Sequence, residues 1–396
     1  MPRLLVAFPQ CAHDPASGAA RSTRLIGEWL AAAGWEVRSV TAAFSEARRW
    51  CTSRELGELA GEMLAEEPGG WTKFSAGGVA HRVLAAERTG QVALDAAAVQ
   101  RLADGVRRAL RMFRPDVLLT YGDDAVWRQL RAEAAQLGVR VVYAVHNAAH
   151  SAGAFEHTAA VLAPSRWLME HYQRRGVRGI EVLPPPIDPA EVVASDPDRV
   201  FTTFINPSPE KGRAVFIGIA KMLAERESMT PLLVVEGRAK GADLIAAAMR
   251  GGVDLRAMTN LMIASAVRNP REIFRVTRTL IVPSLSEAAG RVVAEAQLNG
   301  IPCLVSNRGG LPEMCGDGGR VVNVPDSVTL DTEVAHEGIE AWVTEIDRLA
   351  SDEACYARIA ESARKAGARF DSKALSARYA EWFGRVETRE ALLRNL

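Results

Sequence analysis

Lysine is scarce in this chain. Against 48 basic residues in all, it stands only at Lys73, Lys211, Lys221, Lys240, Lys365 and Lys373. Arginine is the default surface cation, so each lysine carries some information. Net charge is missing too, because Lys+Arg and Asp+Glu are both 48. That balance excludes a general nucleic-acid coat and a strongly basic membrane arm, and leaves at most peripheral membrane contact. No stretch of ~20 apolar residues is present to span a bilayer. The opening MPRLLVAFP is too short an apolar run for a signal peptide. The five cysteines, Cys11, Cys51, Cys303, Cys315 and Cys355, form no C-x-x-C pair. This argues against structural zinc and for a reduced, cytoplasmic setting. Internal repeats and low-complexity tracts are also lacking.

What remains has the composition of a globular protein, with 396 residues, 48% hydrophobic and 24% charged. That length exceeds one ordinary core and predicts two domains. The apolar run LLVAF is followed by a turn-rich loop, an amphipathic helix through RSTRLIGEWLAAAG, and the strand WEVRSVTA. Further strand–helix alternation follows in PDVLLTYG, AVWRQLRAEAAQLG, VRVVYAVHN, AAVLAPS and RWLMEHYQRRG. Such alternation predicts a parallel sheet covered on both faces. Residues 45–100 are less regular, with a hairpin expected around GGVAHRVLAAE. The segment VLPPPIDPAEVVASDPDR, from Val182, holds five of the 19 prolines and reads as a linker. A second α/β series follows it: VFTTFI, AVFIGIAKMLAER, PLLVVEG, LMIASAV, TLIVPSL, RVVAEAQLNG, IPCLVS and GRVVNV.

The fold class read from this pattern is α/β. Two Rossmann-like doubly wound domains face a central cleft, and the C-terminal helix packs back on the N-terminal domain. The boundaries are 1–188 plus about 374–396 for the first domain and 189–373 for the second. Ligands of such sheets bind at the carboxyl ends of the strands.

SEAAGRVVAE, from Ser286, follows a buried strand. Small residues Ala288, Ala289 and Gly290 lead into a helix, and a helix N-terminus behind a small-residue loop is an anion site. Glu287 and Glu295, with seven residues between them, would repel a phosphate. Carboxylates accept from neighbouring hydroxyls, so the local reading is one ligand with both phosphate and sugar, a nucleotide sugar. The bland alternative is a helix-start charge and a solvated helix glutamate.

The longer run VPSLSEAAGRVVAEAQLNGIPCLVSNRGGLPEMCGDGG resembles the signature of family-four retaining glycosyltransferases of the GT-B fold. It supplies Pro283-Ser284, Glu287, Gly290, Glu295, Gly300-Ile301-Pro302 and Gly309-Gly310-Leu311-Pro312-Glu313. SPEKG, with Lys211 and Gly212, resembles the family's turn at the start of the second domain. The resemblance implies sugar transfer with retention, without a metal or other cofactor, from a UDP-sugar first and GDP-mannose next, to an unidentified acceptor. It implies Lys211 on the diphosphate, Glu287 on the sugar hydroxyls, Glu295 on the ribose and His146 facing the transferred sugar. Ser17 and Gly18 would lie near the phosphates, Val267 near the base, and Ala288, Ala289 and Gly290 along the donor. The family's arginine five residues before the lysine is here Asn206, and Arg291 is a candidate compensating cation. A hydrolase or epimerase of the same fold, or a catalytically weak binding partner, are the alternatives, and the protein is expected as monomer or homodimer.

Other features read as structural. Asp123-Asp124 and Asp196-Pro197-Asp198 mimic metal pairs, yet the fold resembled needs none. His150, His157 and His171 lack metal-ligand spacing. His13 is a lesser candidate for acceptor contact, Cys11 is a bystander, and the basic run RRALRMFR at 107–114 is a solvated helix face.

Overall fold

The computed structural model describes residues 1–45, 56–58, 66–67, 70–85, 94–267 and 269–388. Cys51 and much of the irregular 45–100 segment therefore lie outside the described residues. The chain divides into two compact units, Met1–Pro186 with Ser372–Leu396, and Ile187–Asp371. The sequence places these boundaries at 188/189 and near 374.

The first unit carries strands β1 (Arg3–Ala7), β2 (Glu36–Ala42), β3 (Glu66–Glu67), β4 (Trp71–Ala76), β5 (Val79–Leu84), β6 (Val117–Thr120), β7 (Arg140–Ala144), β8 (Ala160–Ala163) and β9 (Ile180–Val182). Their order is β3-β4-β5-β2-β1-β6-β7-β8-β9. Every described pairing is parallel except β3–β4 and β4–β5. The expected hairpin is β4–β5, turning on Gly77 and Gly78 at φ 57° and 75°. Both values lie where glycine is at no steric cost, as a tight hairpin requires. Helices α1 (Gly18–Ala32), α2 (Ala96–Phe113), α3 (Ala125–Gln136) and α4 (Arg166–Gln173) connect the strands. Alternation along β1 sets the two layers. Leu4 and Val6 join the α1-side core, and Leu5 and Ala7 join the core with Val106, Leu110 and Leu130 of α2 and α3.

In the second unit, β10 (Phe201–Ile205), β11 (Leu232–Val235), β12 (Leu261–Ala264), β13 (Thr277–Val282), β14 (Cys303–Ser306) and β15 (Gly319–Val322) form one parallel sheet. The order is β12-β11-β10-β13-β14-β15. Its helices are α5 (Pro189–Val192), α6 (Arg213–Glu225), α7 (Gly241–Arg250), α8 (Pro270–Val276), α9 (Arg291–Leu298), α10 (Leu311–Cys315), α11 (Ile339–Ser351) and α12 (Glu353–Gly367). Strands read as near-continuous apolar runs because both faces are covered. β11 and β14 are buried at every residue.

The last helix, α13 (Ser372–Thr388), returns to the first unit. Tyr379, Trp382, Phe383 and Val386 enter the α1-side core, and the Tyr379 hydroxyl donates to Pro184 O at 2.9 Å.

The proline-rich segment is not an open linker after its first turn. Asp188 caps α5 and Pro189 opens it, a position where proline loses no hydrogen bond. Val192 is fully buried, and Asn299 donates to Val192 O (3.0 Å) and accepts from Ala194 N (2.9 Å). Residues 187–194 are thus tied to the second unit, which narrows the segment that the sequence reads as a linker.

Candidate active site

The second unit supplies three loops at the carboxyl ends of β10, β13 and β14. The loop after β10 begins with Asn206 at φ 62°. Asparagine tolerates this left-handed conformation better than most residues, arginine included. Asn206 Oδ1 accepts from Ala239 N at 3.1 Å, clamping the loop after β11. Where the family's arginine was expected, the local backbone therefore calls for asparagine.

Lys211 follows in a short turn that ends on Gly212 (φ 87°), the N-cap of α6. A Cβ on Gly212 would lie 2.0 Å from Pro283 O, so this glycine seats the lysine turn on the end of β13. Leu285 N donates to Glu210 O at 2.9 Å across the same seam.

That seam brings Lys211 and Glu287 together. Lys211 Nζ lies 2.5 Å from Glu287 Oε1, and Ser284 Oγ donates to the same oxygen at 3.3 Å. Glu287 sits at the start of the small-residue loop. Gly309 and Gly310 pack directly against its backbone. A Cβ on either would fall 2.0 Å from Glu287 O or 2.3 Å from Ala288 O, and Gly310 N donates to Glu287 O at 2.9 Å. This is the physical reason for the Gly309-Gly310 pair in the motif. Gly290, at φ 82°, then starts α9.

Neither α6 nor α9 has a side-chain cap at its N-terminus. Within the first turns, Arg213 N donates to Ser208 O at 3.3 Å and Val293 N to Gly290 O at 2.9 Å, and the positive ends of both helices lie beside the Lys211–Glu287 pair.

One turn into α9, Arg291 Nε donates to Glu295 Oε1 at 2.8 Å. The sequence left the phase of Glu295 open. It is 5% exposed, and its burial with a paired arginine is what makes an ionised carboxylate tolerable there. Arg291, the candidate compensating cation, is enclosed and paired with Glu295. Ala289 is buried at 5% exposure and Ala288 is half-buried. Val267 is half-buried just after the edge strand β12, and its neighbour Arg268 lies outside the described residues.

In the first unit, Ser17 caps α1, its Oγ accepting from Ala20 N at 3.3 Å, and Gly18 is exposed at the helix start. The preceding loop is held by a buried chain. Tyr121 hydroxyl donates to Gln10 Oε1 (2.9 Å), Gln10 Nε2 donates to Asp14 Oδ2 (3.0 Å), and Asp14 Oδ1 accepts from Ala16 N (3.0 Å). His146, at the end of β7, lies edge-on to Tyr121 with its Nε2 3.2 Å from Thr23 Oγ1. So His146 shares one end of this sheet with Ser17 and Gly18.

The loop after His146 is pinned. Tyr172 hydroxyl donates to Asn147 O (2.7 Å) and accepts from His150 N (3.1 Å). Asp123 accepts from both Ser151 N (2.8 Å) and its hydroxyl (3.2 Å). Asp123 is therefore a loop clamp and Asp124 the cap of α3. Burial holds His150 below its ordinary value, against the raising effect of Asp123. Among the described residues no three His, Cys, Asp or Glu side chains gather as a metal-ligand set.

His13, the lesser candidate for acceptor contact, packs against side chains of β4 and β5. Its ring packs on His81 at 4.8 Å and on Phe74 at 5.6 Å. Burial pushes His13 well below the usual histidine range and His81 down to about 4. Cys11 is fully buried and reads as core. In the basic run, Arg107 pairs with Glu133 at 2.8 Å. Arg108, Met112 and Phe113 line a cavity of about 920 Å³ with Arg38, Lys73 and Arg82. The described residues contain no helix long and apolar enough to cross a membrane.

Thr23 and Tyr172 are not singled out in the sequence. Ser284 was visible inside the Pro283-Ser284 motif. Thr23 and Tyr172 gave no signal, because their partners lie 123 and 25 residues away.

Two family models tile the chain. The one described as Glycosyltransferase Family 4 matches residues 16–191, and the one described as Glycosyl transferases group 1 matches residues 188–366. The second covers the Lys211 turn, Glu287, Gly290 and Glu295 together. The chain belongs to the group 1, family 4 glycosyltransferases.

Solved glycosyltransferase structures share the fold of this glycosyltransferase along almost its whole length. A sucrose-phosphate synthase from Thermosynechococcus elongatus is 14% identical with a TM-score of 0.69, covering 98% of this chain and 100% of its own. Anabaena HepE in complex with UDP-glucose is 16% identical with a TM-score of 0.67, covering 96% and 99%. The pneumococcal O-GlcNAc transferase GtfA in complex with UDP and GlcNAc is 10% identical with a TM-score of 0.65, covering 97% and 99%. At these identities the likeness speaks for the GT-B fold. No curated protein sequence matches the chain.

Proposed function

We propose that this glycosyltransferase transfers a sugar from a UDP-sugar to a hydroxyl-bearing acceptor, with retention and without a metal ion. The observation that carries the reading is the Lys211–Glu287 pair at 2.5 Å, set between two helices that begin on left-handed glycines with no side-chain cap. A cation and two positive helix ends suit a diphosphate, and a carboxylate beside them suits sugar hydroxyls. That HepE and GtfA are complexed with UDP-glucose, or with UDP and GlcNAc, favours uridine over guanosine in this reading.

The acceptor oxygen bonds to the anomeric carbon as the bond to the phosphate oxygen breaks. The acceptor proton passes to the departing phosphate, so no separate base is consumed. The chemical demand is stabilisation of the charge growing on the leaving diphosphate by fixed donors. Lys211 and the N–H groups at Gly290 meet it in the second unit. Donor binding draws Lys211 onto phosphate and frees Glu287 for the sugar. Glu295, steadied by Arg291, takes the ribose, Val267 lies along the base, and His146 serves the transferred sugar. The reduced, cytoplasmic setting and the monomer-or-homodimer state belong to the same proposal.

The test is a thermal-shift screen of UDP-glucose, UDP-galactose, UDP-GlcNAc and GDP-mannose. It is followed by measurement of nucleotide diphosphate release with an acceptor panel in EDTA, and by NMR of the product anomer. Release that depends on acceptor, with the donor's anomeric configuration kept, is expected. Release without acceptor makes the chain a hydrolase, and no release from any donor removes the enzyme reading.

A further inference from the structure

One face of the first unit's sheet gathers cations that the candidate active site does not use. Side-chain alternation puts Arg38 and Val40 of β2, Ala80 and Arg82 of β5, and Lys73 and Ser75 of β4 on one side. The register sets them in two rows, Arg38–Ala80–Ser75 and Val40–Arg82–Lys73. The last turns of α2 stand beside this floor as a wall, with Arg108 and Met112 one turn apart and both exposed. Floor and wall bound the cavity of about 920 Å³, a volume in the range of small-molecule sites.

Its charge departs from that of the whole chain. Cations and carboxylates balance at 48 each over the sequence. Among the described lining residues, Arg38, Lys73, Arg82 and Arg108 stand against one carboxylate, Glu36, which Arg38 contacts at 2.8 Å and Arg3 shares at 3.4 Å. Lys73 and Arg82 lie directly opposite each other on antiparallel strands, a like-charged pairing that raises the local positive potential. Two of the guanidinium groups rest on aromatic faces, Arg38 on Phe113 at 4.3 Å and Arg82 on Trp71 at 4.1 Å. Stacking holds the plane of the fork, so less freedom is lost when an oxyanion binds.

We infer that this cavity binds a small polyphosphate anion, at a place separate from the candidate active site. Trp35 and Glu36 lie at the start of β2, Gly78 precedes β5, and Phe113 closes the helix that leads to β6. The cavity therefore sits toward the amino ends of the parallel strands, whereas Ser17, Gly18 and His146 stand at the carboxyl ends. Neighbouring strands are ~4.8 Å apart and residues two apart along a strand ~6.6 Å, so Arg38 and Arg82 are roughly 8 Å apart at the backbone. That spreads the positive charge over more than one phosphate covers, and a chain of two or three phosphates spans it. Ala80 and Ser75 are exposed at the bottom of a concave site, which a compact anion enters and a flat bilayer surface does not.

The test is calorimetric titration of tripolyphosphate, in EDTA, into the full chain. Lys211→Ala removes the other diphosphate candidate, and tripolyphosphate is expected to bind this variant. In the Lys211→Ala background, Arg108→Glu is expected to weaken that binding about tenfold and Arg38→Gln severalfold. Residues 38 and 108 are exposed, so the fold should survive both changes. As single variants both are expected to bind UDP within about twofold of wild type. A larger loss of UDP affinity in both marks a general disturbance and overturns the assignment of a separate site. Loss of all tripolyphosphate binding in Lys211→Ala places the anion at the candidate active site and overturns it too. Equal affinity with and without Arg108→Glu and Arg38→Gln, or no binding to any form, has the same consequence. The second arm is co-sedimentation with phosphatidylcholine vesicles, with and without phosphatidylserine. Vesicle binding that requires phosphatidylserine and is abolished by Arg108→Glu, with no tripolyphosphate binding in solution, makes this face a membrane surface and overturns the proposal.

Discussion

The two units begin their helices differently. In the first unit α1, α2, α3 and α4 each have an N-cap side chain that accepts a backbone N–H, from Ser17, Asp95, Asp124 and Ser165. In the second unit the helices behind the lysine turn and the glutamate loop start on Gly212 and Gly290, both left-handed and without a side-chain cap. A cap satisfies an N–H that would otherwise be an orphan donor. Where the cap is glycine, a helix gives up only about a few tenths of a kcal/mol, and no side chain stands between its N-terminus and a ligand. One unit closes its helix ends, and the other leaves two of them beside a lysine. On the proposed function, the difference separates helix ends closed by their own side chains from helix ends left for the donor's diphosphate.

The sharpest way to break the comparison is Gly309→Ala. A methyl there would lie 2.0 Å from Glu287 O on a residue at φ 61°. The glutamate loop has to move, and we expect a loss of at least ~3 kcal/mol together with donor binding. Chemical melts and UDP titration check this. A variant of wild-type stability would mean that the two glycines do not hold the loop.

The first unit is broken through α13. Phe383 is fully buried against α1-side core residues. Phe383→Ala is expected to cost about 3–5 kcal/mol. In a two-transition melt only the first unit's transition should fall, with the UDP-linked transition unchanged.

Acid separates the units as well. His81 is held at about 4 by burial, against 6.5 for the free side chain. The unfolded chain therefore takes up its proton first as pH falls. Stability from this residue is complete above about pH 6.5 and drains away toward about pH 4, on the order of 3 kcal/mol. His13 adds in the same direction. The second unit carries one histidine, His336, which is exposed. Melts between pH 7.5 and 4.5 should show the first unit losing more, and His81→Gln should flatten its slope. Equal slopes in wild type and variant would contradict this.

A smaller effect is expected at Asn206. Arginine at φ 62° pays roughly 1–2 kcal/mol for the left-handed backbone and also loses the Ala239 clamp. Asn206→Arg should destabilise the second unit without tightening UDP, while Asn206→Gly should cost only about 1 kcal/mol for the lost hydrogen bond. A tighter UDP complex in the arginine variant would mean that the site simply lacks a cation.

Much of this contrast was legible in the sequence. Apolar runs such as LLVAF and PLLVVEG predict buried parallel strands because each must be covered on both faces. The E-x7-E spacing with its glycine, and the lone lysine in SPEKG, pointed to the loops that the structure joins at the Lys211–Glu287 contact. What stayed hidden depends on partners far away in the chain. The left-handed turn at Asn206 is set by the loop at Gly237 and Ala239. The burial of Glu295 depends on which way α9 rolls onto the sheet. Whether His13 points at a ligand or at His81 is decided by β4 and β5, some 60 residues later. The prolines of 184–189 read as a link, because nothing local shows that Asn299 ties their sequel down.

The most direct measurement is calorimetric titration of UDP into the wild type, Lys211→Ala and Glu287→Ala. With Lys211 on the diphosphate, its removal should weaken UDP by roughly ten- to a hundredfold, as expected for loss of a charged hydrogen bond worth about 1.5–3 kcal/mol. Removing Glu287 frees Lys211 from its 2.5 Å partner, so UDP should bind as well or better while sugar transfer is lost. Equal UDP affinity in wild type and Lys211→Ala would contradict the account.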